Sequence, residues 1–237
     1  MAKNDETPGV ELKLHIPLDA LPRLRANRVI GKWLAGRPSQ GRVVSTYFDT
    51  PDLSLFHRQI AVRARKVGAR HILSVQRAPG AEARDHGRAE WEMEVAKRAD
   101  GFRIMNDRAL RKKLSAENIA GRLRPLFVTE VNRAVWPLKI RNSSVEFAIN
   151  VGEIKSKGRR LPICEAGLEL KSGDASGVYA LARELRKSVP FDLEPLSNAE
   201  RGYALAADVA PGFHKAAKLK IRRQATVGEA FSLIGRN

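Results

Sequence analysis

The chain has 237 residues, is 43% apolar and 6% aromatic, and carries 43 Lys and Arg against 26 Asp and Glu, a net charge of +17. That fits one large domain with its own core, alone or with an appendage, and a surface that draws polyanions: nucleic acid, acidic membrane or phosphate-rich small molecules. One cysteine (Cys164) and five scattered histidines exclude an internal disulfide and a Cys- or His-based zinc site, and the lack of any long apolar run excludes a signal peptide and a membrane helix, so a cytoplasmic protein with no membrane partner is expected.

Residues 1–8 are polar and loose, and the strand "VELKLHIP" follows, ending at Pro17. It sets Glu11 and Lys13 on one face and Val10, Leu12 and Leu14 on the other. Residues 19–36 predict a helix, with Asp19 as cap, Pro22 early, Gly36 at its end and a stripe of Leu24, Val29, Ile30 and Leu34. "RVVSTYFDTP" is a strand ending at Pro51, and "DLSLFHRQ" is a short irregular or single-turn link. "IAVRARKV" is a strand with Arg63 and Arg65 opposite Ile60, Val62 and Ala64. "RHILSVQRA" is the next strand, followed by a polar loop over 79–87.

"RAEWEMEV" alternates most sharply, with Arg88, Glu90, Glu92 and Glu94 on one face and Ala89, Trp91, Met93 and Val95 on the other. Residues 106–123 predict a helix with a break near Ser115. "LFVTEVNRAVWPLK" is one strand or a bent pair; "SSVEFAIN" leads into a turn at Gly152; "GEIKSKGRR" is a return strand and solvated loop; "LPICEAGLELKSG" is another strand. Residues 174–189 form a helix, with Val178, Leu181 and Leu185 in register. Cys164 reads as a small buried hydrophobe, and Trp91 and Trp136 as packing residues.

Taken singly, each strand is half buried, with a charged solvent face. Taken together, six strands order Arg, Lys and Glu on one face, and a sheet closed on itself would give them a shared interior. Polyphosphate calls for a fork of Arg and Lys, while Mg²⁺ or Mn²⁺ calls for carboxylate oxygens. The period of two along a strand interleaves the two sets, as in Glu11 with Lys13, Arg63 with Arg65, Arg88 with Glu90 and Glu92, and Glu165 with Glu169.

These motifs, in this order, resemble the CYTH domains, the triphosphate tunnel metalloenzymes, and most of all the bacterial inorganic triphosphatases. "VELKL" is similar to their Glu-x-Glu-x-Lys opening, "STYFDTPDLSLFHRQIAVRAR" to their passage into an Arg-x-Arg strand, and "GRAEWEME" to their Arg-x-Glu-x-Glu strand. "TEVNRAVW" supplies Arg133, "EFAINVGEI" resembles the acidic strand, "ICEAGLELKSGD" the late Glu-x-Glu-x-Glu strand, and "LEPLSNAERGYAL", with Arg201, the Ser-Lys-x-x-Arg-Gly-Tyr segment. The resemblance implies an α+β fold, a closed antiparallel eight-stranded β-barrel tunnel with helices outside. It divides the chain into a flexible 1–8, a tunnel domain over 9–206 and a basic connector over 207–237. Thr226 and Glu229 make a capping box in that connector, which resembles the opening of a helical CHAD domain.

The resemblance further implies that Lys13, Arg63, Arg65, Arg88, Arg133 and Arg201 bind phosphate and that Glu11, Glu165 and Glu169 bind Mg²⁺ (or Mn²⁺). The ion would polarise the terminal phosphoryl group for an in-line water, with Glu11, Lys13, Glu90 and Glu92 as catalytic candidates and no unique general base. Five positions depart from the family pattern: Gly9, Gln76, Asn150, Gly167 and Asn198. They remove three anions and two cations, which harms metal binding more than anion binding. The expected function is binding of triphosphate or polyphosphate, with metal-dependent hydrolysis weakened or lost. A nucleic-acid-binding module using the basic surface is the competing class.

Overall fold

The computed structural model describes residues 10–58, 60–77, 90–95 and 121–208. The expected N-terminal segment with Gly9, the loop over 79–87, Arg88, nearly all of the helix expected over 106–123, and the tail 209–237 with Thr226 and Glu229 lie outside the described residues. So do the side chains of Gln76, Glu90 and Trp91.

The strands are β1 (Glu11–His15), β2 (Ser39–Asp49), β3 (Ile60–Val67), β4 (Arg70–Arg77), β5 (Glu90–Val95), β6 (Arg124–Ile140), β7 (Ser143–Ser156), β8 (Arg159–Ser172) and β9 (Asp192–Leu193). They do not close into the expected eight-stranded barrel. Among the described residues they form an open antiparallel sheet in the order β5-β4-β3-β2-β6-β7-β8-β1-β9. A closing ladder would have to join β5 to the far edge of β1, and β9 occupies the C-terminal end of that edge. Leu14 opposes Leu193 and His15 opposes Asp192, and the Glu194 N–H donates to the Lys13 carbonyl at 2.8 Å.

Directly opposed residues share a face, so the register carries facing across the whole sheet. Glu11 opposes Glu169 and His15 opposes Glu165. Those glutamates oppose Glu146 and Asn150 in turn, and Asn150 opposes Arg133. Arg133 opposes Gly41 on β2, while Ser45 and Tyr47 of the same strand face oppose Arg65 and Arg63. Arg63 and Glu92 both oppose Ser74. One face therefore holds Glu11, Lys13, Arg63, Arg65, Glu92, Arg133, Glu165 and Glu169.

The other face is apolar. Leu14, Phe147, Ile149, Ala166 and Leu168 pack there against Leu24, Ile30, Val178, Leu181 and Leu185. The last five come from α1 (Leu21–Arg25), α2 (Arg28–Trp33) and α4 (Ser176–Arg186), while α3 (Ser54–His57) is a single turn between β2 and β3. Burying each large side chain stabilises by about 1.5–3 kcal/mol. Trp136 packs against the same core, with its ring 5.6 Å from Phe147.

Two local expectations are corrected and one open alternative is resolved. The helix expected over 19–36 breaks after Arg25, because Asn27 leaves the helical conformation to cap α2, its Oδ1 accepting the Val29 N–H at 3.0 Å. Asp19 sits in a 3₁₀ turn and caps nothing, and the last helical residue is Trp33. Gly152 is not a turn: β7 runs through it, and the chain reverses at Lys157 and Gly158 with φ of 47° and 77°. Gly152 serves close approach instead, since a Cβ there would collide with the Glu130 carbonyl. The stretch read as one strand or a bent pair is one strand, β6, which accommodates Pro137 because β2 pairs only as far as Val135.

Among the described residues, the charged face is covered at one end. There α5 (Asn198–Ala207) packs Tyr203 and Ala206 on Tyr47, Phe127, Ile154 and Ile163. Among the described residues, no helix is long and apolar enough to cross a membrane.

Candidate functional site

The site is built around Glu165 in the middle of β8, which is only 3% exposed. A buried carboxylate is costly unless paired and hydrogen-bonded. The Lys13 ammonium lies 2.8 Å from Oε2 as an ion pair without a well-directed hydrogen bond. The other oxygen, Oε1, accepts from Asn150 Nδ2 at 3.1 Å and from Asn198 Nδ2 at 2.9 Å. Lys13 also donates to the Leu196 carbonyl at 3.1 Å and to Asn198 Oδ1 at 3.3 Å. Arg201 Nη1 stands 4.0 Å from Glu165 and 3.8 Å from Glu194, while Nη2 donates to the Pro162 carbonyl at 2.7 Å.

Local structure explains how these groups arrive. Asn150 is opposite Glu165 in the β7–β8 ladder. Lys13 is two residues from His15, which opposes Glu165 across β1. Asn198 and Arg201 come from the first turn of α5, where Ser197 and Glu200 form a reciprocal capping box. Gly202, next in that helix, lies so close to Phe127 that a Cβ would run into its ring. The ring is held by Tyr47, stacked 4.4 Å away.

Arg133 extends the network. Its Nη1 donates to Asn150 Oδ1 at 3.2 Å and its Nη2 to Glu146 at 2.8 Å. Lys171 lies 2.7 Å from Glu169 and 3.7 Å from Glu146. Glu146 and Lys171 escaped the sequence reading. The signal for Glu146 was its position four residues before Asn150, on the same strand face. Between the two ends lies a cleft of about 40 Å³, with Gly167 and Ala148 on its floor. A Cβ at Gly167 meets nothing within 4 Å, so the missing side chain opens this space.

Arg63 and Arg65 form a second cluster on the same face. Glu92 lies 2.9 Å from Arg65 and 3.6 Å from Arg63, and Arg63 Nε donates to Ser74 at 3.1 Å. The cleft is lined from β1, β6, β7 and β8, and does not include this pair. A larger cavity of about 390 Å³ lies among Glu130, Asn132, Glu153 and Arg160. Its carboxylates are tied up, since Lys155 bridges Glu130 at 3.0 Å and Glu153 at 2.9 Å. Those hydrogen bonds hold both carboxyls below their usual range. Burial pushes the Cys164 thiol up, which leaves it inert.

The divalent ion implied by the resemblance does not fit this arrangement. Glu165 is ringed by an ammonium, two carboxamide N–H donors and a guanidinium, all groups that repel a cation. Glu169 is occupied by Lys171, and Glu11 is exposed. Glu165 and Glu169 are four residues apart on one strand, about 13 Å. Among the described residues no cluster of three His, Cys, Asp or Glu could hold a metal.

An α+β protein with an antiparallel sheet, one face apolar under helices and the other an ordered field of Lys, Arg and Glu, is the class these observations define. The chain belongs to the CYTH domain family, the triphosphate tunnel metalloenzymes, and matches it over residues 8–203. It is 26% identical over 164 residues to an inorganic triphosphatase of Haemophilus influenzae; the match covers 69% of this chain and 46% of that protein. Among solved structures, Hippeastrum HpAC1, a candidate adenylyl cyclase described as having a dominant triphosphatase activity, gives a TM-score of 0.60 at 16% identity over 83% of this chain and 95% of that one. A candidate adenylate cyclase from Bacillus halodurans gives 0.54 at 14% identity over 82% and 98%. At these identities the structures establish likeness of fold.

Proposed function

We propose that this chain binds inorganic triphosphate or a polyphosphate chain on its charged sheet face and hydrolyses it weakly or not at all. The observation that carries this reading is the surrounding of Glu165, where Lys13, Asn150 and Asn198 occupy both oxygens of the best-placed family carboxylate. The cations suited to phosphate remain: Lys13, Arg133 and Arg201 near the cleft, and Arg63 and Arg65 further along the same face. Arg and Lys bind phosphate oxygens through charge-assisted hydrogen bonds that need no chemistry to follow. Similarity to an inorganic triphosphatase supports triphosphate as the first ligand to try.

The competing reading, a nucleic-acid module, rests on the net charge of +17. It requires an outer basic stripe and a steep salt dependence. Calorimetric titration with triphosphate and with a short duplex, each at two salt concentrations, separates the two. Triphosphate binding that exceeds duplex binding at the higher salt supports the anion reading. Tight duplex binding with no triphosphate binding replaces it.

A further inference from the structure

We infer that the site takes its anion without a divalent metal, because Lys13 already stands as the resident cation of the Glu165 centre. The inference rests on the anion-binding reading above and specifies its ionic requirement.

Three observations carry it. First, the two carboxamides are oriented by their partners. Asn150 turns Oδ1 to Arg133 and Nδ2 to Glu165. Asn198 turns Oδ1 to Lys13 and Nδ2 to the same carboxylate oxygen. Flipping either amide would set oxygen against carboxylate and N–H against a cation, so both orientations are fixed. Each asparagine thus links a protein cation to Glu165. An aspartate at 150 would offer Glu165 only another acceptor, and a lysine at 198 would offer Lys13 only another donor. The two asparagines suit a site with an internal counter-ion.

Second, the neighbouring carboxylates are matched in the same way. Glu146 holds Arg133 at 2.8 Å and Glu169 holds Lys171 at 2.7 Å. Negative charge in the cleft is balanced largely by side chains. A divalent ion would have to displace an ammonium or guanidinium already within ion-pair distance, and then meet N–H donors on the far side of Glu165.

Third, Lys13 can reach an anion at modest cost. Of its three contacts, that with Asn198 Oδ1 is the longest, at 3.3 Å. A phosphate oxygen can replace that carboxamide oxygen while Lys13 keeps Glu165 and the Leu196 carbonyl. Because the cleft begins close to neutral, the attraction draws on the wider basic surface and fades with salt.

The experiment titrates sodium tripolyphosphate into the full chain by calorimetry, in EDTA and in Mg²⁺, alongside Mn²⁺ binding followed by electron paramagnetic resonance without the anion. The expected result is binding in EDTA at least as tight as in Mg²⁺, and no Mn²⁺ uptake that Glu165→Gln removes. Replacing Lys13 alone would leave Glu165 buried and unpaired, so the pair is removed together in K13M/E165Q. Circular dichroism checks that this variant folds, and its affinity in EDTA is expected to fall about tenfold, the loss of one good charged contact. Tripolyphosphate binding that appears only with Mg²⁺, Mn²⁺ uptake lost in Glu165→Gln, or a folded K13M/E165Q with unchanged affinity would each overturn the inference and leave the anion-binding reading standing. No tripolyphosphate binding under any condition removes that reading itself.

Discussion

Asn150 and Asn198 reach one atom, Glu165 Oε1, from two different elements, at 3.1 and 2.9 Å. A strand side chain and a helix side chain thereby share one buried acceptor. Their substitutions should not act independently. Asn150→Asp removes a hydrogen-bond donor from Glu165 and is expected to destabilise by about 1–3 kcal/mol, the usual cost of a buried polar group left without one of its partners. Asn198→Lys brings a cation to Glu165 but sets it against Lys13. The double variant should lose less stability than the sum of the two, by about 0.5–3 kcal/mol. Urea denaturation of the four proteins measures this, and strict additivity would show that the carboxamides do not share Glu165.

Gly202 should govern how deeply α5 seats on the charged face. Gly202→Ala drives a methyl into the Phe127 ring. Overpacking of this kind costs about 1–3 kcal/mol. Phe127→Leu in the same chain makes room and is expected to recover part of the melting temperature. A Gly202→Ala protein as stable as the parent would show that α5 tolerates displacement.

Phosphate release from tripolyphosphate with Mg²⁺ and then Mn²⁺ is expected to be weak or absent. The comparison is a variant carrying Gly9→Glu, Gln76→Lys, Asn150→Asp, Gly167→Glu and Asn198→Lys. The open space at Gly167 admits the glutamate there without a clash at Cβ. Turnover by the unrestored chain at about 10 per second or faster, an ordinary enzyme rate, would refute this expectation. If both proteins bind triphosphate and neither hydrolyses it, binding is the function.

Asp52 supplies a pH test away from the cleft. The Ser54 hydroxyl, donating to its carboxylate at 2.7 Å, is the leading cause that lowers its pKa from 3.8 to about 2, with Arg122 contributing through charge. Since the folded value is the lower one, this stabilisation is fully present above pH 3.8 and is lost as pH falls through about 2. Ser54→Ala should move the Asp52 midpoint upward, toward 3.8, in a carboxyl-detected NMR titration. An unmoved midpoint would assign the shift to the backbone and Thr50 instead.

Which residues share the charged face was legible in the sequence, because alternation is a local property. Glu11 with Lys13 and Arg63 with Arg65 needed only the period of a strand. How the sheet ends was not legible. The edge of β1 is closed by Asp192 and Leu193, a pair too short to show any period and defined only by what it touches. Glycine permits a turn at 152, which is all that the sequence shows; the close approach of Glu130 that requires it is a tertiary fact. Asn27 split a helix whose apolar stripe ran through unbroken, since capping outweighed periodicity there. The pairing of Lys13 with Glu165 joins β1 to β8, and no spacing in the chain encodes it.

The short β9 also gives the sheet a direction. With Leu14 and His15 already paired, the β1 side offers no continuous ladder of open backbone groups. Among the described residues, β5 is the opposite margin, paired to β4 on one side only. Among the described residues, β5 is thus the margin with a continuous open edge. A strand added beside Glu90–Val95 would extend the face that carries Glu92, Arg63 and Arg65 and leave the Glu165 end unchanged.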